Sequence, residues 1–351
     1  MKTFVKYYLY RMRTSFPIMA VLILCGVVVA VTEPCFYLEH EGLFSVTIYP
    51  VRTDFLLTLA TIIIPLIELR TILNRKGIVL TFSLPVSRKS ASFAHYLCGL
   101  TYLFCFYLSI LSVRLIEAIF FNHKFFDKLN VYNNLINVEL FPKVILAYLL
   151  GGVSVYTIFV LITAAANNMV DAIIYSIAWQ ALPLLVYFFM LLFLESIGLT
   201  ITENLDFFTV LNPFLFFLAS GFLFRLHNSY NHAPGDYNYY QLIFIVVVAM
   251  VCLICYFAVF CKKKAHNIGG VSTGLIGYKV MLPIVFVSVL YLAFMVFEPD
   301  SLVVLPFILG AMILSYMIYR RSVKLKLADW LCMAAVLAVA GIMFAISQFN
   351  A

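Results

Sequence analysis

Two cysteines in the arrangement Cys252-Leu-Ile-Cys255 have the spacing of a redox pair or of half a zinc site. A structural zinc site needs four ligands, and the apolar run around the pair supplies no completing set. With Cys25, Cys98, Cys105 and Cys332, which also lie in apolar runs, they read as small packing residues. The six histidines, His40, His95, His123, His227, His232 and His266, fall in loops or near the ends of apolar runs, and no two have a metal-binding spacing on one helix. The glycines of "GGVSTGLIGYK" lack the order of a phosphate loop ending in Gly-Lys-Ser/Thr. The chain itself is therefore expected to bind neither ATP nor a cofactor or metal, and not to be an enzyme.

Ionisable residues inside apolar runs are the next candidates, because each costs about 2.5 to 3.5 kcal/mol at the centre of a membrane helix. Glu68 and Arg70 fall in the last turns of one run, with Arg70 placed to extend its head toward water. Arg114 and Glu117 are three apart on one helical face. They lie beyond about 20 residues of their run, at an interface, either as a local ion pair or lining the mouth of a substrate path. Asp171 opens a run alone. A membrane enzyme would gather such groups at one depth, and the sequence displays no such cluster.

The apolar runs dominate the chain. Of its 351 residues 64% are hydrophobic and 11% are charged, with a mean hydropathy of +1.05, far from the balance of a soluble domain. Helices of about 20 residues cross a hydrocarbon layer of about 30 Å, and the short alternating segments of a barrel are absent. The expected fold is an all-α polytopic membrane protein. Spans are expected at 16–38, 54–73, 92–120, 141–165, 172–194, 241–261, 279–297, 302–319 and 329–347.

The net charge of +7 is informative through its distribution, and calls for a membrane rather than a nucleic acid as partner. Segments 1–15, 74–90, 262–279 and 320–326 hold 16 of the 23 lysines and arginines, whereas loops 39–53, 121–143, 195–240 and 297–301 hold five. With the amino terminus inside, this asymmetry follows the positive-inside rule. It survives only if the chain crosses about nine times, so 208–224, with Asn212, Pro213 and Gly221 inside it, reads as a re-entrant element before the sixth span. Segment 226–240 then faces outward. Residues 1–15 place Phe4, Val5, Tyr8, Leu9 and Met12 at helical spacing among basic residues, the pattern of an interfacial amphipathic helix. The division expected is 1–15 interfacial helix, 16–261 six-span core, 262–278 cytoplasmic linker and 279–351 three-span extension.

Between the second and third spans stands "NRKGIVLTFSLPVSRKS", Asn74 to Ser90. Its first part can form a short amphipathic helix with Ile78, Val79 and Phe82 on one side. Pro85 ends it, since the residue before a proline, here Leu84, is pushed out of helical geometry. Ser87 or Ser90 can then cap the next span. The product is a knuckle of apolar side chains framed by Arg75, Lys76, Arg88 and Lys89, suited to docking into a groove on another protein. A positive-inside anchor alone needs the charges and leaves the apolar residues unexplained.

The stretch "LPVSRK", Leu84 to Lys89, resembles the Leu-Pro-Ile/Val-Ser-Arg-Lys/Arg signature of type-2 ABC transporter permeases. "KKKAHNIGG", Lys262 to Gly270, is similar to that family's second basic stretch, with His266 where the family often has Glu and Ile268-Gly269 where it has Ala-Gly. "YMIYRRSVKLK", Tyr316 to Lys326, is a weaker match to the tail of its longer members. The resemblance implies the permease subunit of a bacterial ABC exporter in the cytoplasmic membrane, with its amino terminus cytoplasmic. It also implies partners: separate ATP-binding cassette ATPase subunits and a second permease subunit, the same chain or another. Ile78, Val79, Phe82, Leu84, Pro85, Ser87, Arg88 and Lys89 would couple to the ATPase. A 64% apolar chain favours a hydrophobic or amphipathic cargo, a peptide antibiotic or a lipid. The competing readings are a membrane enzyme, a non-transporting sensor or assembly subunit, and a secondary transporter, which would show two broken helices where this sequence shows one.

Overall fold

The structure is a computed structural model that describes residues 2–32, 51–125, 141–179, 194, 239–270, 272, 277–297, 301–320 and 322–350. The element at 208–224, the loop 226–240 and most of the second half of the span at 172–194 lie outside these residues. The described elements are helices: α1 (Lys2–Thr32), α2 (Val51–Leu69), α3 (Arg75–Ser83), α4 (Arg88–Phe125), α5 (Phe141–Ala165), α6 (Met169–Trp179), α7 (Tyr239–Lys262), α8 (Tyr278–Phe297), α9 (Ser301–Arg320) and α10 (Leu327–Asn350). A 3-10 turn, Ala265–Asn267, follows α7.

Among the described residues, five stretches are long and apolar enough to cross a bilayer: Thr3–Thr32, Arg88–Glu117, Tyr148–Ala165, Ile243–Lys262 and Leu327–Ile346. The chain is thus a multi-pass helical membrane protein. Shorter apolar helices occupy Leu56–Leu69, Met169–Trp179, Tyr278–Ala293 and Leu305–Arg320. Phe16, Val21, Leu24 and Val31 on α1 and Ile243, Met250 and Ile254 on α7 are exposed. Lipid accepts such faces, and the helices satisfy their own backbone.

Two compact units divide the chain: Met1–Ala164 with Thr209–Ala265, and Ala165–Phe208 with His266–Ala351. The second unit takes α6 together with the three C-terminal helices α8, α9 and α10.

In the first unit α1 does not stop at residue 15. It runs unbroken past Pro17 to Thr32, and its first half lies along α4. The buried stripe is Tyr7, Arg11, Ser15 and Met19, spaced every four residues, whereas Val5 and Leu9 are exposed. The Tyr8 hydroxyl bonds Thr101 Oγ1 (2.9 Å) and Tyr102 donates to the Met12 carbonyl (2.6 Å). Phe4 stacks on Phe93. An interfacial helix would bury its apolar face in lipid; here polar partners on α2 and α4 select a different face. Buried tyrosines continue the same theme: Tyr96 bonds Thr157 (2.9 Å) and Tyr156 donates to the Tyr96 carbonyl (3.1 Å).

The second unit has an apolar core of Phe286, Leu290, Met312, Tyr316, Met333 and Val336 from α8, α9 and α10. Arg320 grips Asp329 with two nitrogens (Nη2 to Oδ1 2.7 Å, Nε to Oδ2 3.0 Å), closing the α9–α10 turn. Asp329 also accepts from the Lys326 N–H (3.0 Å), capping α10.

Candidate functional site

The segment between α2 and α4 is assembled from its turns. The Asn74 side chain caps α3 by accepting from the Lys76 N–H (3.2 Å). Gly77 sits against the carbonyl of Thr71, where any Cβ would collide with backbone, so α3 packs close to the chain leaving α2. Leu84 is extended, φ −70° and ψ 147°, as the following proline requires. The Ser87 hydroxyl accepts from the Ser90 N–H (3.2 Å) at the start of α4, the capping role expected for one of these serines.

This geometry redistributes the expected docking residues. Ile78 is fully buried at 0% exposure and faces its own unit, so it is a packing residue and no part of an exposed surface. Phe82, four residues on and on the same face, is half-buried beneath the Arg88 guanidinium, 4.5 Å from the ring centroid. The outward apolar pair is Val79 at 60% and Leu80 at 59% exposure. Leu84 is half-buried, and Pro85, Ser87 and Lys89 are exposed. Leu80 was missed in the sequence reading. The signal was available, since residues four apart share a face and an inward Ile78 with Phe82 turns Val79 and Leu80 out.

Arg88, expected as a rim charge, instead reaches across to the end of α7. Its Nη1 donates to the carbonyls of Cys261 (3.0 Å) and Lys263 (3.2 Å). Lys263 is itself buried, and its Nζ donates to the Ala164 carbonyl (2.8 Å) in the last turn of α5. Burial pushes the Lys263 ammonium down to about 7.

A second polar assembly lies close by in the same unit. Glu68, 1% exposed, accepts from Arg11 Nε (3.0 Å) and His95 Nδ1 (3.2 Å) at Oε1 and from Ser15 Oγ (2.9 Å) at Oε2. Arg11 Nη2 also donates to the Glu68 carbonyl (2.7 Å), satisfying one orphan of the α2 C-terminus. An ionised carboxylate can only accept, so Nδ1 of His95 donates in that bond, and in the neutral imidazole Nε2 then accepts from the Tyr7 hydroxyl (2.9 Å). The sequence reading had assigned Arg11 to an interfacial helix and His95 to a loop end, and found no such cluster. Arg70, two residues beyond Glu68, is exposed.

Arg114 pairs with Glu117 (2.9 Å) on the same helix, as the spacing indicated. His95 and Arg114 are 19 residues apart on α4, about 29 Å, a separation close to the thickness of a hydrocarbon layer. Asp171 is not alone. Its Oδ2 accepts from the Ser272 N–H (2.9 Å) and hydroxyl (2.7 Å), and its Oδ1 from Tyr278 (3.3 Å). Asn168 donates to the Gly270 carbonyl (3.0 Å) and the Gly269 N–H to the Asn167 carbonyl (2.9 Å). Gly269, Gly270, Ser272 and Tyr278 are therefore clipped to the α5–α6 turn and the start of α6 within the second unit, with Gly269 at φ 81° where other residues are strained. Among the described residues no three His, Cys, Asp or Glu side chains are grouped to hold a metal ion, and Cys252 and Cys255 are free thiols. No family model matches the chain, and neither a curated protein nor a solved structure does.

Proposed function

We propose that this chain is the membrane-spanning permease subunit of a type-2 ABC exporter, working with separate ATPase subunits and a second permease subunit in a bacterial cytoplasmic membrane. The observation that carries the reading is α3: a short helix outside the apolar spans, fixed by Asn74 and Gly77, that holds Val79 and Leu80 outward among Arg75, Lys76 and Lys89. A bare positive anchor would not be built with exposed branched apolar residues on a rigid mount. Among the described residues, nine apolar helical segments, five long and four shorter, each overlap one of the expected spans. Parity agrees with that expectation. The Ala164 carbonyl and Lys263 Nζ meet, so the ends of α5 and α7 share one membrane face. An even number of crossings then separates them, in keeping with the expected topology. The distribution of basic residues favours the cytoplasm for that face. Cargo would be hydrophobic or amphipathic, with Arg114 and Glu117 near the outer end of the path.

The membrane-enzyme reading has one specific observation in its favour, the Arg11, Glu68 and His95 cluster. Both Glu68 oxygens are already engaged by the protein's own donors, which favours a helix fastener over a catalytic group.

Leu80→Asp tests the proposal, since the side chain is exposed and is expected to be replaceable without disturbing the packing. A carboxylate there must be desolvated in an apolar groove, at a cost of several kcal/mol. ATP hydrolysis co-purifying with the full-length wild type in nanodiscs should fall at least tenfold in the variant at equal abundance. Equal hydrolysis in both would refute the docking role of α3.

A further inference from the structure

Two cations join the ends of separate helices to one short stretch of backbone, and neither lies on the outward face of α3. Arg88 Nη1 donates to the carbonyls of Cys261 (3.0 Å) and Lys263 (3.2 Å), oxygens at the C-terminal end of α7, where helices leave carbonyls unpaired. The same guanidinium covers the Phe82 ring at 4.5 Å, which attaches it to α3. Lys263 turns the opposite way, burying its side chain so that Nζ meets the Ala164 carbonyl (2.8 Å) at the end of α5. Both cations sit where helix dipoles are negative, and both bonds are charge-assisted when the donor is ionised. Inside the bundle, Tyr256 donates to the Ser92 carbonyl (2.9 Å) and closes α7 onto the first turn of α4.

A charge offered to a partner needs no such fixed geometry. We infer that Arg88 and Lys263 form a two-step clasp that ties the segment 74–90 to the end of α7 and, through it, to the end of α5. Displacement of α3 then moves those two helix ends directly, as well as α2 and α4 to which α3 is joined in the chain. Arg88 is in this sense a positioning residue, not a docking one. The consequence for transport rests on the proposed function, because that reading supplies the force on α3; the clasp itself does not depend on it.

Amide hydrogen exchange on the full chain in nanodiscs tests the clasp without any ATPase. Arg88→Lys keeps the charge that a rim role requires and loses the reach of the guanidinium. In Arg88→Lys and Arg88→Gln, exchange should speed about tenfold across both 75–83 and 257–266, the loss of a charge-assisted bond at a locally opening end. Lys263→Met should do the same across 160–164 and 257–266. Peptides from α10 should be unchanged throughout. Wild-type exchange in Arg88→Lys, or acceleration spread equally into α10, overturns the inference. Arg88→Lys, a conservative change at an exposed position, decides the matter alone if Lys263→Met does not assemble. A failure of the docking reading shows instead in the Leu80→Asp measurement.

Discussion

Glu68 holds three helices together: the carboxylate receives Arg11 and Ser15 from α1 and His95 from α4 while belonging to α2. Removing one partner of a buried ion pair leaves the other charge uncompensated, at about 3 to 5 kcal/mol. Glu68→Gln should lower unfolding free energy in mixed micelles by that order, and replacing Arg11 by Met in the same chain should restore part of it. A loss below about 0.5 kcal/mol, typical of surface substitutions, would show that the assembly is not a fastener. Lys263 gives a pH-dependent prediction. Its folded-state value of about 7 lies below the ordinary 10.5, so between those values the unfolded chain holds a proton that the folded chain has released. Stability therefore rises with pH across that window, by up to about 1.4 kcal/mol per unit. Unfolding measured at pH 7 and 9 should show wild type gaining relative to Lys263→Met, and parallel behaviour would remove the buried-lysine account. Glu68 stood out in the sequence as an ionisable group in an apolar run, but its partners did not, because Arg11, Glu68 and His95 are separated by 57 and 27 positions and only packing brings them together.

Elements were more legible than pairings. Apolar run length placed nearly every described helix, and the Pro85 break and Ser87 cap were readable from local chemistry. The face that an element buries was harder to read. In α1 the apolar residues at helical spacing are partly turned outward, because in lipid an apolar side chain gains little by burial while Arg11 and Tyr7 must find partners. In α3 the same uncertainty put Ile78 on the docking face. Gly77 is where the orientation of α3 is set, since its missing Cβ lets the helix press on the Thr71 carbonyl. Gly77→Ala must lift α3 away, a strain of about 1 to 3 kcal/mol. The chain should still insert, while the ATPase activity that co-purifies with it falls. Retention of that activity would mean that the orientation of α3 is unimportant.

At the scale of the whole molecule, apolar helices exposed to lipid carry between α2 and α4 the short helix α3, for which a docking role is proposed. The contacts of Arg88 with Cys261 and of Lys263 with Ala164 join the start of α4 to the ends of α7 and α5, and the charge distribution leads us to expect those ends on the cytoplasmic side. Grouping of α6 with α8, α9 and α10 was not readable, because it depends on the polar clip at Asp171 and on which apolar faces meet. The most direct measurement places a photo-crosslinking side chain at single positions in the full-length chain and irradiates native membranes. Position 80 should capture an ATP-binding cassette subunit, and position 116, an exposed residue near the other end of α4, should not. Absence of an ATPase adduct from position 80, or equal capture from position 116, would contradict the account.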